Sequence, residues 1–376
     1  MIKKHLLSST LLSRASELIP MCSQTFSKAP SWFVQGVYPT YLKKGKGARV
    51  WDVDDNVYLD YICGLGPITL GYNYPEVNKA IKKQLRDGII FSLPHPLEVE
   101  VSELLHDIIP CAEMVRFCKT GSEATQAAVR AARFYTQREK LAFFGYQGWH
   151  DWYAISSERP GGIPEVLKDY IFQFQYNDIS SLQKIFDEHP KEIAAVIMEP
   201  VTFTPPNNNF LQAVLRLTHK NGAVLIFDET VTGFRMSLGG AQSYFEVIPD
   251  MATFGKGMAN GMPLAAVCGA KGLMKTYEEV FFSSTFGGEC LSLAAALATI
   301  KVMIDKKSIF HTWEAGRRLM TGISFLGLQT AGYPCRPAIL LPNDTPPIRS
   351  LFMQEMVKRG ILVHSYAMNL CYSHSE

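Results

Sequence analysis

The chain lacks most of the features that assign a function at sight. No run approaches the ~18 consecutive apolar residues of a membrane-spanning helix, so the sequence offers no membrane as a partner. It has no surplus of either charge: Lys and Arg number 37 against 35 Asp and Glu, a formal net charge of +2 over 376 residues. A chain so near neutrality presents no basic field to nucleic acid or to an anionic membrane surface. Internal repeats and low-complexity linkers are absent, and no Gly-rich loop ends in Gly-Lys-Ser/Thr, which leaves a P-loop nucleotide site unsupported. The 8 cysteines form no Cys-x-x-Cys pair, and several sit in apolar runs such as Ala265-Ala266-Val267-Cys268. That pattern fits buried thiols in a reducing compartment such as the cytoplasm, not a disulfide or zinc framework, so no metal site is expected.

What is present describes a globular protein. A hydrophobic content of 47% with 19% charged residues, in a chain this long, is enough for a large core and two domains. The first residues, Met1-Ile2-Lys3-Lys4-His5-Leu6-Leu7, carry no acid before Glu17. They fit either an organellar presequence or an amphipathic first helix ending at Pro20. Lys43-Lys44-Gly45-Lys46 is the densest basic run and reads as a solvated turn. Residues 49–61 alternate as a hairpin turning at Asp54-Asp55-Asn56. Residues 75–87 and 97–109 have helical spacing, and 122–138 read as a helix with a small face of Ala127, Ala128, Ala131 and Ala132. Strands are expected at 141–144, 193–198, 223–228 and 265–269, and a long helix at 291–305. This alternation predicts an α/β fold with a mainly parallel sheet covered on both faces. From about 310 the pattern reads helix, strand, helix, strand. The expected domains are a large one over 70–305 and a small α+β one combining 1–69 with 306–376.

The chemistry concentrates around Lys256, within Phe254-Gly255-Lys256-Gly257-Met258. Its glycines leave bare backbone that a ligand can approach closely. Upstream, Val224-Leu225-Ile226-Phe227-Asp228-Glu229 places an acid at the end of an apolar strand, where open α/β sheets bind ligands. A lysine amine and a buried carboxylate converging on one cleft are what pyridoxal phosphate needs: the amine condenses with its aldehyde, the acid pairs with its pyridinium nitrogen. Glu229, the rival acid, should point to the opposite side of the strand. Lys119-Thr120-Gly121-Ser122-Glu123-Ala124 opens a helix with Gly and Ser, which reads either as a phosphate cradle or as a simple N-cap. Tyr146, in Phe144-Gly145-Tyr146-Gln147-Gly148-Trp149-His150-Asp151, can lie flat on a planar ring or belong to an aromatic core; His150 reads as structural. Ser283-Ser284-Thr285-Phe286-Gly287-Gly288-Glu289 is a second hydroxyl-and-glycine loop and a second phosphate donor candidate.

With these segments in this order, the chain resembles the class III aminotransferases, fold type I of the pyridoxal phosphate enzymes, and within them the glutamate-1-semialdehyde aminomutase subgroup. Val50–Tyr61, Thr120–Ala124, Gly145–Asp151, Met198-Glu199-Pro200-Val201, Asp228–Arg235, Phe254–Pro263 and Thr285–Glu289 carry the likeness. The resemblance implies Lys256 as the internal aldimine, Asp228 on the ring nitrogen, Tyr146 stacked on one ring face and Thr230 on the other. It also implies Gly121 and Ser122 on the phosphate, and Thr285 reaching the partner's phosphate in a homodimer. The sequence departs from the family at Gln147, where His is usual, and at Thr204, near the place of an Asn. It departs again at Lys28, where the aminomutases carry an Arg for the substrate carboxylate, and Lys is a poorer bidentate partner. The expected reaction is therefore transamination from an amino-acid donor to an aldehyde or ketone acceptor, a keto-sugar among the options. An aminomutase is the second reading and a catalytically inert binding protein the third. His364-Ser365-Tyr366-Ala367 through Ser373-His374-Ser375-Glu376 resembles the point where family members begin their last helix, so that helix is expected to be absent.

Overall fold

The computed structural model describes residues 6–207, 209–365 and 367–374; the beginning of the expected presequence lies outside them. The chain divides into two compact units, Met1–Pro75 with Phe310–Glu376, and Glu76–Ile309.

In the first unit a helix over Leu6–Leu18 ends before Pro20. Three antiparallel strands follow: β1 (Leu42–Lys46), β2 (Arg49–Asp52) and β3 (Val57–Asp60). The β2–β3 turn falls at Asp54-Asp55-Asn56, with Asp55 at φ +66°. Asp52 holds this turn by accepting from the backbone N–H groups of Asp54 (3.0 Å) and Asn56 (2.8 Å). The Lys43–Lys46 segment is a strand, not a turn. It pairs with Arg49–Asp52, Lys44 lies 4.8 Å from the Trp51 ring centroid, and Lys43 reaches Asp55 at 2.8 Å. Basic side chains suit this position because charges on an edge strand discourage pairing with other chains.

The second unit carries β4 (Met114–Cys118), β5 (Lys140–Phe144), β6 (Ile171–Gln173), β7 (Ile193–Met198), β8 (Val224–Asp228), β9 (Met251–Phe254) and β10 (Ala265–Gly269). Their order is β4-β10-β9-β8-β7-β5-β6, and only β10 runs against the rest. Strict alternation sorts the side chains to two cores. Val224 and Ile226 join Leu141, Ile197 and the alanine face of the Gly121–Thr136 helix. Leu225 and Phe227 join Val196, Met198, Leu182 and Val214 on the other face. The parallel sheet is thus apolar on both sides, the condition for near-continuous hydrophobic strands. The expected strands formed, but β4, β6 and β9 are also present. β6 has 3 residues and β9 has 4, too short for a periodic signal, and β4 is interrupted by Arg116.

Back in the first unit, the helix Ser308–Phe325 leads to a hairpin, β11 (Gln329–Tyr333) with β12 (Arg336–Leu340), where one strand was expected. The helix Pro346–Lys358 then leads to β13 (Ile361–Leu362), which pairs parallel to β3. Among the described residues no helix is long and apolar enough to cross a membrane.

Candidate active site

β4, β5, β7, β8 and β9 share one direction, so their carboxyl ends share one edge of the sheet, where α/β proteins bind ligands. Each delivers one part of the site.

Asp228 ends β8 and is buried. By strand parity it faces the side of Val224 and Ile226, while Glu229 takes the opposite side. Its Oδ1 accepts from the Thr230 N–H and from the Thr253 hydroxyl, each at 2.9 Å. Thr253 stands directly across from Asp228 in the β8–β9 register. Burial pushes the Asp228 carboxyl above its ordinary range, while these donors and the charge of Lys256 pull it back. Glu229 is a different object. It is fully buried and accepts from the N–H groups of Ala241 (2.7 Å) and Gln242 (2.8 Å) and from the Thr232 hydroxyl. Burial raises it to about 7. It anchors the start of the Ala241–Phe245 helix.

Lys256 follows β9 at the start of a tight turn, Lys256–Ala259, with φ +33°. A non-glycine residue in that region costs on the order of 1–3 kcal/mol and persists where surrounding structure holds it. Here Gly257, Met258 and Ala259 are buried beneath it. Gly255 lies against Thr230: a Cβ there would sit 3.4 Å from Thr230 Cγ2.

The Thr120 loop follows β4. Thr120 is the N-cap, and with Glu123 it forms a reciprocal capping box. The N-cap reading therefore belongs to Thr120, not Ser122. Glu123 N–H goes to Thr120 Oγ1 (3.2 Å) and Ala124 N–H to Thr120 O (3.1 Å), leaving the N–H groups of Gly121 and Ser122 at the helix start without an intrahelical acceptor. A Cβ at Gly121 would come within 3.0 Å of Thr230 Cγ2 and 3.1 Å of its Oγ1. The Thr230 hydroxyl oxygen is buried and makes no well-formed hydrogen bond.

Tyr146 follows β5 as an exposed residue, its ring edge-on to Tyr153 at 5.6 Å between centroids. Glu199, at the end of β7, accepts from the Tyr146 N–H at 2.9 Å. Partial burial of the phenol and the Asp228 charge raise its pKa, which puts Tyr146 in the same neighbourhood as the acid. Gly148 allows the same loop to touch the helix start: a Cβ there would lie 2.4 Å from Ser122 Oγ, and the Trp149 N–H donates to that Oγ at 3.3 Å. Gln147 is buried and donates to Phe144 O at 2.8 Å.

The structure thus brings Lys256, Asp228, Thr230, Gly121, Ser122 and Tyr146 to one edge. Thr285 lies in an exposed loop before the helix Cys290–Asp305. Thr204 is exposed, and Lys28 belongs to the other unit. Thr253 was missed by sequence reasoning, and Glu199 was named there only within a segment of family likeness, with no role assigned. Thr253 enters through strand register and Glu199 through a loop contact, and neither leaves a trace in local spacing.

The model of the aminotransferase class-III family matches residues 34–330. The chain belongs to the class-III aminotransferases. Within this family it is 35% identical to a 3-aminobutyryl-CoA aminotransferase of Cloacimonas acidaminovorans (strain Evry), over 98% of this chain and 93% of that one. It is 37% identical to a glutamate-1-semialdehyde 2,1-aminomutase of Acetivibrio thermocellus, over 84% of this chain and 78% of that one. Its backbone matches an omega-transaminase from Sphaerobacter thermophilus with a TM-score of 0.91 at 26% identity, covering 97% of this chain and 93% of that one. The FumI protein of Sphingopyxis sp. MTA144 in its PLP internal aldimine form matches with a TM-score of 0.93 at 26% identity, covering 98% and 91%. The fold of this class-III aminotransferase is accordingly fold type I.

Proposed function

We propose that this chain transfers an amino group from an amino-acid donor to an aldehyde or ketone acceptor, a keto-sugar among the options, with pyridoxal phosphate carried on Lys256. Pyridoxal phosphate is the cofactor of the family. The observation that carries the reading is the meeting of an amine, a buried carboxylate and uncommitted N–H groups at one sheet edge.

The residues fit such a group. The absent Cβ atoms of Gly121 and Gly148 leave a cradle at the helix start, and the Thr230 N–H and Thr253 hydroxyl that donate to Asp228 are neutral. When bound, the cofactor supplies a protonated pyridine ring that draws off the electron pair left by a departing Cα proton. Asp228 would hold the proton on the ring nitrogen, and an opposed cation would offset the cost of burying the carboxylate. Gly121 and Ser122 would receive the phosphate at the positive end of the helix. Tyr146 and Thr230 would flank the ring. The Lys256 amine would take the Cα proton of the donor and return it one atom away, general acid–base work by one residue.

Mixing the purified holoenzyme with single amino donors should change the cofactor's absorption without any acceptor, and the full reaction should show ping-pong kinetics. The relative named 3-aminobutyryl-CoA aminotransferase puts β-amino acyl thioesters in the donor set. The second reading, an aminomutase, rests on the relatives so named. Isomerisation of one substrate with no external acceptor would establish it instead.

A further inference from the structure

Outside the amino-transfer site, Cys63, Cys371 and His374 converge within the unit built from both ends of the chain. Cys63 and Cys371 are fully buried. His374 Nδ1 is 3.1 Å from Cys371 Sγ, and one donor atom from each of the three residues lies within 4.8 Å of the others.

The backbone beneath them is firmly held. Asn369 N–H donates to Tyr61 O (2.7 Å), Tyr372 N–H to Thr69 O (2.8 Å) and Ser373 N–H to Leu70 O (3.1 Å). The imidazole stacks on Tyr61 with centroids 4.6 Å apart. The Cys371 N–H donates to His374 Nδ1 at 3.0 Å, which marks Nδ1 as the unprotonated ring nitrogen, the one that can also bind a cation. The Nε2 atom, which then carries the ring proton, is buried without a partner. Nearby, Asp60 accepts from the Tyr72 hydroxyl at 2.6 Å and from the Ile62 N–H at 2.7 Å.

We propose that Cys63, Cys371 and His374 form a zinc site that clips the two ends of the chain together. Two thiolates and an imidazole, with no carboxylate among the donors, disfavour Mg²⁺ and Ca²⁺ and select a borderline cation. Zn–S bonds of about 2.3 Å and a Zn–N bond of about 2.0–2.1 Å place tetrahedral donors roughly 3.5–3.8 Å apart. The observed spacing, from 3.1 Å to at most 4.8 Å, brackets that value. Binding replaces two S–H bonds by two Zn–S bonds, releases two protons, and leaves a fourth position for water. Cys371-x-x-His374 is half a motif in the sequence; its third ligand stands at the opposite end of the chain.

The test is a cobalt(II) titration of chelator-treated, cofactor-loaded protein, followed by zinc competition. One equivalent per chain should give a thiolate-to-cobalt charge-transfer band, and zinc should abolish it and raise the thermal midpoint. Cys371→Ser and His374→Gln should each weaken binding at least tenfold, whereas Cys22→Ser should not. The cofactor's own absorption should be unchanged in all three. His374→Gln removes the least buried ligand and decides the matter if the buried Cys371→Ser protein fails to fold. Absence of the band in the wild-type protein, or an equal band in His374→Gln, overturns the proposal. So does recovery of Cys63 and Cys371 as a disulfide that zinc does not prevent.

Discussion

At the residue scale, two adjacent acids show how environment divides one chemistry into two jobs. Asp228 and Glu229 are both buried, yet Glu229 is enclosed by donors from the following helix while Asp228 faces the edge that also holds Lys256. The lysine itself sits at a φ of +33°, a strained backbone that the buried residues after it maintain. Replacing Lys256 with Ala should leave the fold intact and abolish the cofactor's visible absorption. The rate should fall by roughly 10²–10⁴-fold or more, the range for losing a positioned acid–base group. Retention of that absorption in Lys256→Ala would remove the lysine from its assigned role. The pair was legible in the sequence because a lysine between glycines and an acid closing an apolar strand are both local patterns.

At the element scale, the segment after β8 is held by Glu229, whose raised pKa has a consequence for stability. Its folded value of about 7 lies above the ordinary glutamate value of 4.5. The folded protein therefore binds the proton more tightly than the unfolded chain. Stability from this group is full below about 4.5 and is lost as pH rises toward 7, flattening above it. The total is on the order of 3 kcal/mol, and Asp228 adds in the same direction. Thermal midpoints of Glu229→Gln measured from pH 5 to 8 should show a visibly shallower decline than the wild type. An unchanged slope would mean that Glu229 is charged throughout. The strand β8 that delivers both acids was legible, whereas β9 was not. β9 is only 4 residues long and ends at Phe254, so its pairing with β8, and hence the Thr253 contact to Asp228, exists only in the folded sheet.

At the scale of the whole molecule, the proposed assembly is a homodimer. The Thr285 loop is exposed in a single chain, and Phe281 and Phe286 beside it are 80% and 56% exposed. Large apolar side chains gathered around such a loop are the usual mark of an interface. If each Thr285 serves its partner's phosphate, a two-fold dimer exchanges the loops reciprocally. Thr285→Ala should then weaken cofactor retention by about tenfold to a hundredfold, the worth of one hydrogen bond to a charged group. Equilibrium dialysis of the cofactor alongside sedimentation velocity checks both halves of the claim. A protein that stays monomeric at micromolar concentration while holding its cofactor tightly would be inconsistent with a shared site.

The sequence by itself determined the α/β alternation, the two-sided apolar strands, the cofactor class and the lysine–acid pair, because each is written in residues close together. Folding alone decided that the basic run at Lys43–Lys46 is an edge strand and that Thr120, not Ser122, caps the phosphate-side helix. It alone decided that Thr253 and Glu199 support the site, and that Cys63 meets Cys371 and His374. Each of these depends on strand register or on contact between segments distant in the chain, and neither leaves a period or a spacing to read.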